Sequence, residues 1–429
     1  MTDPASLATH PRCCIVGGGP AGMMLGLLLA RAGVRVTVLE KHADFLRDFR
    51  GDTVHPSTLM VLQQLGLLET FERLPQHRVE HLAGIVSGRR QEIVDFRGLK
   101  PFGYIALVPQ WDLLDLLANE ARRHPSFELR LCHEAVGLIE EHGRVAGVRV
   151  HRRATADDRE SNGAYDLRAD LVVGCDGRHS VVRAAAGLEA RAFGAPMDVL
   201  WFRLPRRDAD PQDTFGIVDA GHMMVLLNRD TYWQAAFLVP KGGDADLRAQ
   251  RIDVLRRSVV QLAPFLADRR DEPATWDEVK TLEVRVDRLE RWYRPGLLLI
   301  GDAAHAMSPI GGVGINLALQ DAVAAANRLV PVLRGSGPVP DAVLAAIQAR
   351  RMAPTRIVQW VQRKLQERVI SRALQQSGKP VKVPAPLRWL LGFRRVRNLP
   401  AWLFGYGYRR EDVHEYVREG VREDASPRR

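Results

Sequence analysis

Gly17-Gly18-Gly19-Pro20-Ala21-Gly22 follows a short apolar run, Cys13 to Val16, and leads into an apolar stretch, Met23 to Ala30. A second apolar run, Val34 to Leu39, ends in Glu40. This is the pattern of a strand, a G-x-G-x-x-G turn, a helix and a second strand, and its chemistry is that of a dinucleotide cradle. Gly17 permits the tight turn, Gly19 lets backbone approach a pyrophosphate, and Gly22 lets helix and strand pack closely. Ala21 lies in the first helical turn, whose N–H groups face the phosphates. Glu40 stands about twenty residues on, where a carboxylate accepts hydrogen bonds from a ribose hydroxyl and disfavours a 2′-phosphate. FAD and NAD both satisfy these residues.

Two later segments repeat the device of an acid at the carboxyl end of an apolar strand. Leu171 to Gly174 runs into Cys175-Asp176-Gly177, with Ser180 placed to cap a following helix. Gly296 to Ile300 runs into Gly301-Asp302-Ala303-Ala304-His305, then Pro309, Gly311-Gly312-Val313-Gly314-Ile315-Asn316 and a small-residue helix, Leu317 to Asn327. An acid at a strand end can bind a ribityl hydroxyl, and a helix starting at Gly314 to Asn316 offers positive potential to an anionic ring.

With this ordered trio the chain resembles the FAD-dependent class A monooxygenases, the relatives of para-hydroxybenzoate hydroxylase, over about its first three-quarters. The resemblance implies that the first motif binds the ADP half of FAD and that Asp302, after Gly301, holds the ribityl chain. It implies that the loop Pro309 to Asn316, with Gly312, Gly314, Ile315 and Asn316, lies against the isoalloxazine ring. Asp176 and Gly177 belong to a segment associated with FAD and with transient NADPH binding. Arg50 is similar to the family's flavin-side arginine and Gln110 to the glutamine before the next helix. Arg50 and Pro309 are the two residues expected beside the reacting part of the ring. The implied activity is hydroxylation of an aromatic or polycyclic small molecule by NAD(P)H and O₂ through a flavin C4a-hydroperoxide.

The implied fold is α/β: a Rossmann-type βαβ FAD-binding domain, an inserted antiparallel-sheet substrate domain and a helical C-terminal region. Residues 1–189 and 285–330 are expected to form the first, with excursions toward the substrate side near 80–108. Residues 190–284 are expected to form the second and 331–429 the third. Within 190–290, short strands are expected at Val199 to Leu204, Thr214 to Val218, His222 to Leu227, Thr231 to Val239 and Val284 to Leu289, with a helical stretch at Leu247 to Ala267. A hairpin joins strands at Glu140-Glu141-His142-Gly143, and Ala154 to Ala164 reads as a loose polar tip. The C-terminal helices are expected to break at Pro354, Pro380 and Pro384.

At 429 residues, with a charged share of 26% and a hydrophobic share of 46%, the composition is that of a globular enzyme and excludes wholesale disorder. Four cysteines without a C-x-x-C pair fit a reducing compartment and disfavour a dithiol reductase. No signal-peptide pattern precedes Arg12, so a cytoplasmic location is expected. The net charge of +10 comes from scattered arginines without a nucleic-acid motif, which argues for a solvated surface and against nucleic-acid binding. Only one dinucleotide motif is present, so NAD(P)H must bind transiently elsewhere.

No general base or metal site is legible. His305, His55 and His222 read as structural histidines, and Asp52 as an ion-pair partner of Arg50. Tyr232, Trp233 and Phe237 suit either a ring-shaped pocket or ordinary core packing. The basic, aromatic segment Pro386 to Arg410 suits a packed lid better than a membrane-surface helix. A prenyl-reductase-like activity on the same fold remains the alternative, since it needs no O₂. Flavin halogenases fit less well because their Trp-x-Trp-x-Ile-Pro motif is missing.

Overall fold

The computed structural model describes residues 10–46, 52–86, 89–154, 163–219, 221–375 and 394–418. Arg50, Pro380, Pro384 and most of the polar tip at 154–164 lie outside the described residues.

A six-stranded sheet forms the centre, in the order Tyr293–Arg294, Leu297–Leu299, Leu171–Gly174, Cys13–Val16, Val36–Glu40, Phe127–Leu131. All its pairings are parallel except the edge strand Tyr293–Arg294. Cys13–Val16, Leu171–Gly174 and Leu297–Leu299 are buried at every position, as continuous apolar runs must be when a parallel sheet is covered on both faces. Six helices matter for the site. They are α1 (Pro20–Arg31), α2 (Pro56–Gln64), α3 (Gln110–Ala121), α4 (Gly314–Leu333), α5 (Asp341–Leu365) and α6 (Arg394–Gly405). In α1 every residue from Ala21 to Ala30 is buried. Such a helix cannot be amphipathic, because sheet and neighbouring helices enclose it.

A seven-stranded sheet takes Lys280–Leu282, Met197–Pro205, Tyr232–Pro240, His222–Asn228 and Phe215–Asp219, then adds His81–Val86 and Arg89–Asp95. It is antiparallel except where Phe215–Asp219 meets His81–Val86. One face packs Phe202, Leu226, Trp233, Ala235 and Phe237 against Leu255 and Val259 of the helix Asp253–Leu262.

Two expectations need correction. Pro354 does not break the C-terminal helices: α5 runs through it from Asp341 to Leu365. An interior proline costs about 3 kcal/mol, but the helix buries Arg351, Met352, Thr355, Val358 and Gln359 on either side, and that packing holds it. The strand expected over Val284 to Leu289 is shorter, Asp287–Leu289. The Val284 N–H donates instead to Asp198 Oδ1 (2.9 Å), so a side chain replaces the ladder there.

Candidate active site

Strand order places the three sequence motifs side by side. The strands ending at Val16, Gly174 and Leu299 are adjacent and parallel, so Gly17, Asp176 and Asp302 emerge at one edge of the sheet. That edge, outside the carboxyl ends of the strands, is where open α/β sheets bind ligands. Gly17 has φ +104°, and a Cβ there would stand 2.5 Å from the Cys175 carbonyl oxygen. A Cβ on Gly22 would overlap the Gly17 carbonyl. No side chain larger than glycine fits either position without moving the turn.

The residues present fit a dinucleotide. α1 opens after Gly19 with no side-chain cap and no acidic residue in its first turn. A phosphate can therefore satisfy the N–H groups of that turn. Glu40 accepts from the N–H of Gly18 (2.9 Å) and of His42 (3.1 Å), which fixes its carboxylate beside the glycine turn. Asp176 Oδ2 accepts from the Val182 N–H (3.1 Å), whereas its Oδ1 is buried without a partner. Burial pushes the Asp176 carboxyl up, against the hydrogen bonds that lower it. An orphaned buried oxygen at this edge suits a ligand hydroxyl. Arg178 Nε donates to Asp302 Oδ2 (3.0 Å), and Arg183 donates to the carbonyls of Ala303 (3.2 Å) and Arg178 (2.7 Å). The Asp-Gly and Gly-Asp turns are thus tied together.

The loop from Pro309 to Asn316 is anchored on the segment before and within α2. Thr53 Oγ1 donates to the Gly312 carbonyl (2.7 Å), and His55 Nε2 lies 3.1 Å from the same oxygen. Ser57 and Thr58 both donate to Asn316 Oδ1, at 2.5 and 2.8 Å. The carboxamide oxygen of Asn316 therefore faces inward. Val313 leads into α4 without a side-chain cap, and its first turn carries no acid. Gln110, half-buried, opens α3, and its backbone hydrogen-bonds to Asp52.

Gln359 and Gln362 of α5, and Gln366 just beyond its end, hold the segment Ala306 to Ile310 that leads into this loop. Gln359 donates to the carbonyls of Asp287 (2.7 Å) and Ala306 (3.0 Å). Gln362 donates to those of Ser308 (2.9 Å) and Ile310 (2.8 Å) and accepts from the Ser308 N–H (3.2 Å). Gln366 donates to Ser308 Oγ (2.9 Å). Sequence reasoning missed them, although carboxamides at spacings of three and four on one helix face were a signal.

His305 is buried, with Nε2 2.6 Å from Asp321 Oδ2 and its ring 4.9 Å from that of Trp292. His55 is also fully buried, and burial pushes its pKa down to about 4. Half-buried His222 stacks at 5.7 Å on Phe237, and burial lowers it too. Asp52 pairs with Arg229, in the turn between His222–Asn228 and Tyr232–Pro240, which in turn donates to Gln234 Oε1 (2.9 Å); its expected partner Arg50 lies outside the described residues. Desolvation raises the Asp52 carboxyl in spite of Arg229.

Trp233 and Phe237 belong to the sheet face turned toward the helix Asp253–Leu262, and the Trp233 indole donates to Asp210 (2.9 Å). They are core. The opposite face carries Trp201, Met223, Val225, Ala236 and Leu238, and Ile310 of the anchored loop packs against this cluster. α6 closes one side: a Cβ on Gly311 would touch the Phe404 ring at 3.1 Å, and Ala401 is fully buried. Leu399 and Trp402 face outward. Among the described residues no helix is long and apolar enough to cross a membrane, and no cluster of His, Cys, Asp or Glu could hold a metal ion.

The model of the FAD binding domain family matches residues 11–361, the whole of this architecture from the glycine turn through most of α5. The chain is also 36% identical over 359 residues to 6-methylpretetramide 4-monooxygenase of Streptomyces rimosus, covering 82% of each protein. It belongs to the FAD-dependent aromatic monooxygenases. This monooxygenase is 27% identical to 3-demethoxyubiquinol 3-hydroxylase of Escherichia coli, over 80% of this chain and 86% of that one. A probable FAD-dependent monooxygenase from Pseudomonas aeruginosa shares the fold, with a TM-score of 0.72 and 23% identity over 85% of this chain and 98% of that one. The two curated relatives are named for a monooxygenase and a hydroxylase, and the reductase alternative is not favoured.

Proposed function

We propose that the monooxygenase hydroxylates a polycyclic phenolic compound, seated beside the junction of the apolar sheet face with the loop Pro309 to Asn316. The observation that carries this is that Ile310 packs against the buried cluster of Ala236 and Leu238, which Trp201, Met223 and Val225 also flank. An apolar face that adjoins the ring-side loop suits fused aromatic rings, and the Streptomyces relative is named for 6-methylpretetramide.

In this reading Gly17, Gly19, Ala21, Gly22 and Glu40 hold the adenosine diphosphate half, and Asp302 holds the ribityl chain. Asp176 and Gly177 line the cleft between them, and Gln110, Gly312, Gly314, Ile315 and Asn316 border the ring, with Arg50 and Pro309 nearest the reaction. FAD bound there supplies hydride acceptance from NAD(P)H and activation of O₂. The protein's part is to position and to exclude water. The uncapped α4 terminus offers positive potential to a reduced, anionic ring. The apolar wall keeps solvent from the reacting carbon. The division into an FAD-binding part (1–189 and 285–330), a substrate part (190–284) and a helical part (331–429) is retained, with strands 81–95 assigned to the substrate side. Four free cysteines, two of them fully buried, support a cytoplasmic setting.

The test is NAD(P)H-dependent incorporation of isotope-labelled O₂ into a panel of tetracyclic and simple phenols, read by mass spectrometry. Label in a tetracyclic product supports the reading. NAD(P)H oxidation with label in none of them would refute it.

A further inference from the structure

A basic patch lies behind the anchored loop. The guanidinium carbons of Arg288, Arg363 and Arg191 stand 4.9, 5.0 and 5.6 Å from the ring centre of one residue, Phe193. Arg191 and Arg288 are directly opposed in the antiparallel pairing of Ala190–Ala192 with Asp287–Leu289. Like charges at such a position are destabilising. Arg356 lies two turns before Arg363 on α5 and adds to the field at Arg288.

Little neutralises these charges. Among the described residues neither Arg191 nor Arg356 forms an ion pair or hydrogen bond, and the Arg288 side chain donates to an uncharged group, Gln359 Oε1 (2.6 Å). Arg363 has only a 3.9 Å approach to Glu367 one turn on. Burial, together with Arg356, Arg191 and Arg363, lowers the Arg288 pKa, and Glu290 offsets this only in part. Four guanidinium groups gathered at such cost, with planar donor forks and few acceptors, suit a phosphate-bearing ligand.

We propose that Arg191, Arg288 and Arg363 around Phe193, with Arg356 in the field of Arg288, bind the phosphates of the reduced nicotinamide dinucleotide, and that its 2′-phosphate makes NADPH the preferred donor. This rests on the monooxygenase reading, in which the one dinucleotide fold is taken by FAD and the hydride donor needs another site. The patch is joined to the segment that leads into the ring-side loop: Gln359 accepts from Arg288 and donates to Ala306 (3.0 Å), three residues before Pro309. Trp360, 60% exposed on α5 between Arg356 and Arg363, offers a flat surface for an adenine ring.

The test uses the FAD-loaded enzyme. NADP⁺ and NAD⁺ affinities are measured at equilibrium for the wild type, for Arg191→Ala/Arg356→Ala and for Arg191→Lys/Arg356→Lys. Both positions are exposed, so the fold should persist. The alanine pair should weaken NADP⁺ roughly tenfold and NAD⁺ much less, while the lysine pair retains most of the affinity. Anaerobic flavin reduction should need correspondingly more NADPH yet reach the same limiting rate. Unchanged NADP⁺ affinity in the alanine pair, or equal wild-type affinities for NADP⁺ and NAD⁺, would overturn the proposal. So would loss of binding to phosphatidylglycerol vesicles alone, which marks a membrane-facing patch. Failure of either dinucleotide to reduce the wild-type flavin would strike the monooxygenase reading instead. The equilibrium affinities would still decide the patch.

Discussion

His305 Nε2 and Asp321 Oδ2 lie 2.6 Å apart, and both side chains are almost wholly excluded from water. The same carboxylate accepts from the Gly301 N–H (3.1 Å) and from Arg351 Nε (2.8 Å), and Arg351 reaches on to Glu411 (3.2 Å). One aspartate in α4 therefore joins the turn that carries Asp302, helix α5 and the segment after α6.

Removing one partner of a buried ion pair leaves the other uncompensated, at about 3–5 kcal/mol. Asp321→Ala should lower stability by that order in denaturant melts, with loss of bound FAD. Although burial raises its carboxyl, His305 and Arg351 outweigh this and hold Asp321 below the ordinary range. Its contribution is thus complete above the unfolded carboxylate value and is lost as pH falls through the lower folded one. An Asp321→Ala melt that matches the wild type would remove the network from the account.

His55 gives a second, separable pH dependence. It is buried, with a pKa near 4 against an ordinary value of 6.5. The unfolded chain takes up the proton first, so stability is complete above about pH 6.5 and falls until about pH 4. A gap of this size is worth on the order of 3 kcal/mol. His55→Gln, which keeps a donor for Gly312, should flatten the stability profile across that window. Equal slopes in the two proteins would show that His55 does not titrate as its burial requires.

Asp302→Ala should release FAD readily on gel filtration, because the acid at the sheet edge is gone and Arg178 loses its acceptor. Glu40→Ala should weaken FAD by roughly tenfold, since the Gly18 N–H loses its acceptor and the glycine turn loses its brace. The measurement is flavin fluorescence on titration into apoprotein. Full flavin retention by Asp302→Ala would move the ribityl contact elsewhere.

Gln362→Leu should loosen the ring-side loop without unfolding the chain. The Ser308 N–H donates to Gln362 and should exchange with solvent faster in the variant apoprotein. FAD affinity should fall with it. Protection equal to that of the wild type would mean that α4 and α2 alone hold the loop.

Much of the backbone of the candidate site was legible because its demands are local. A turn that admits no Cβ must be glycine, as at Gly17 and Gly22, and a doubly covered strand must be apolar throughout, as at Leu171 to Gly174. Helix continuity through Pro354 was not legible, because burial of its neighbours outweighs the local cost of proline. Nor could alternation alone assign Trp233 and Trp201 to opposite faces with different roles. Trp233 meets the helix Asp253–Leu262, and Trp201 shares its cluster with Ile310.

The sequence by itself determined the glycine turn, the acids at the strand ends and their order, since backbone geometry writes those requirements into adjacent residues. Only tertiary structure decided which ends become neighbours. Arg178 reaches Asp302 across 124 positions, Gln362 reaches Ser308 across 54, and Arg191 comes to face Arg288 through strand pairing. These contacts are set by sheet order and helix packing, whose free energy is spread over the whole buried core and has no signature in any one segment.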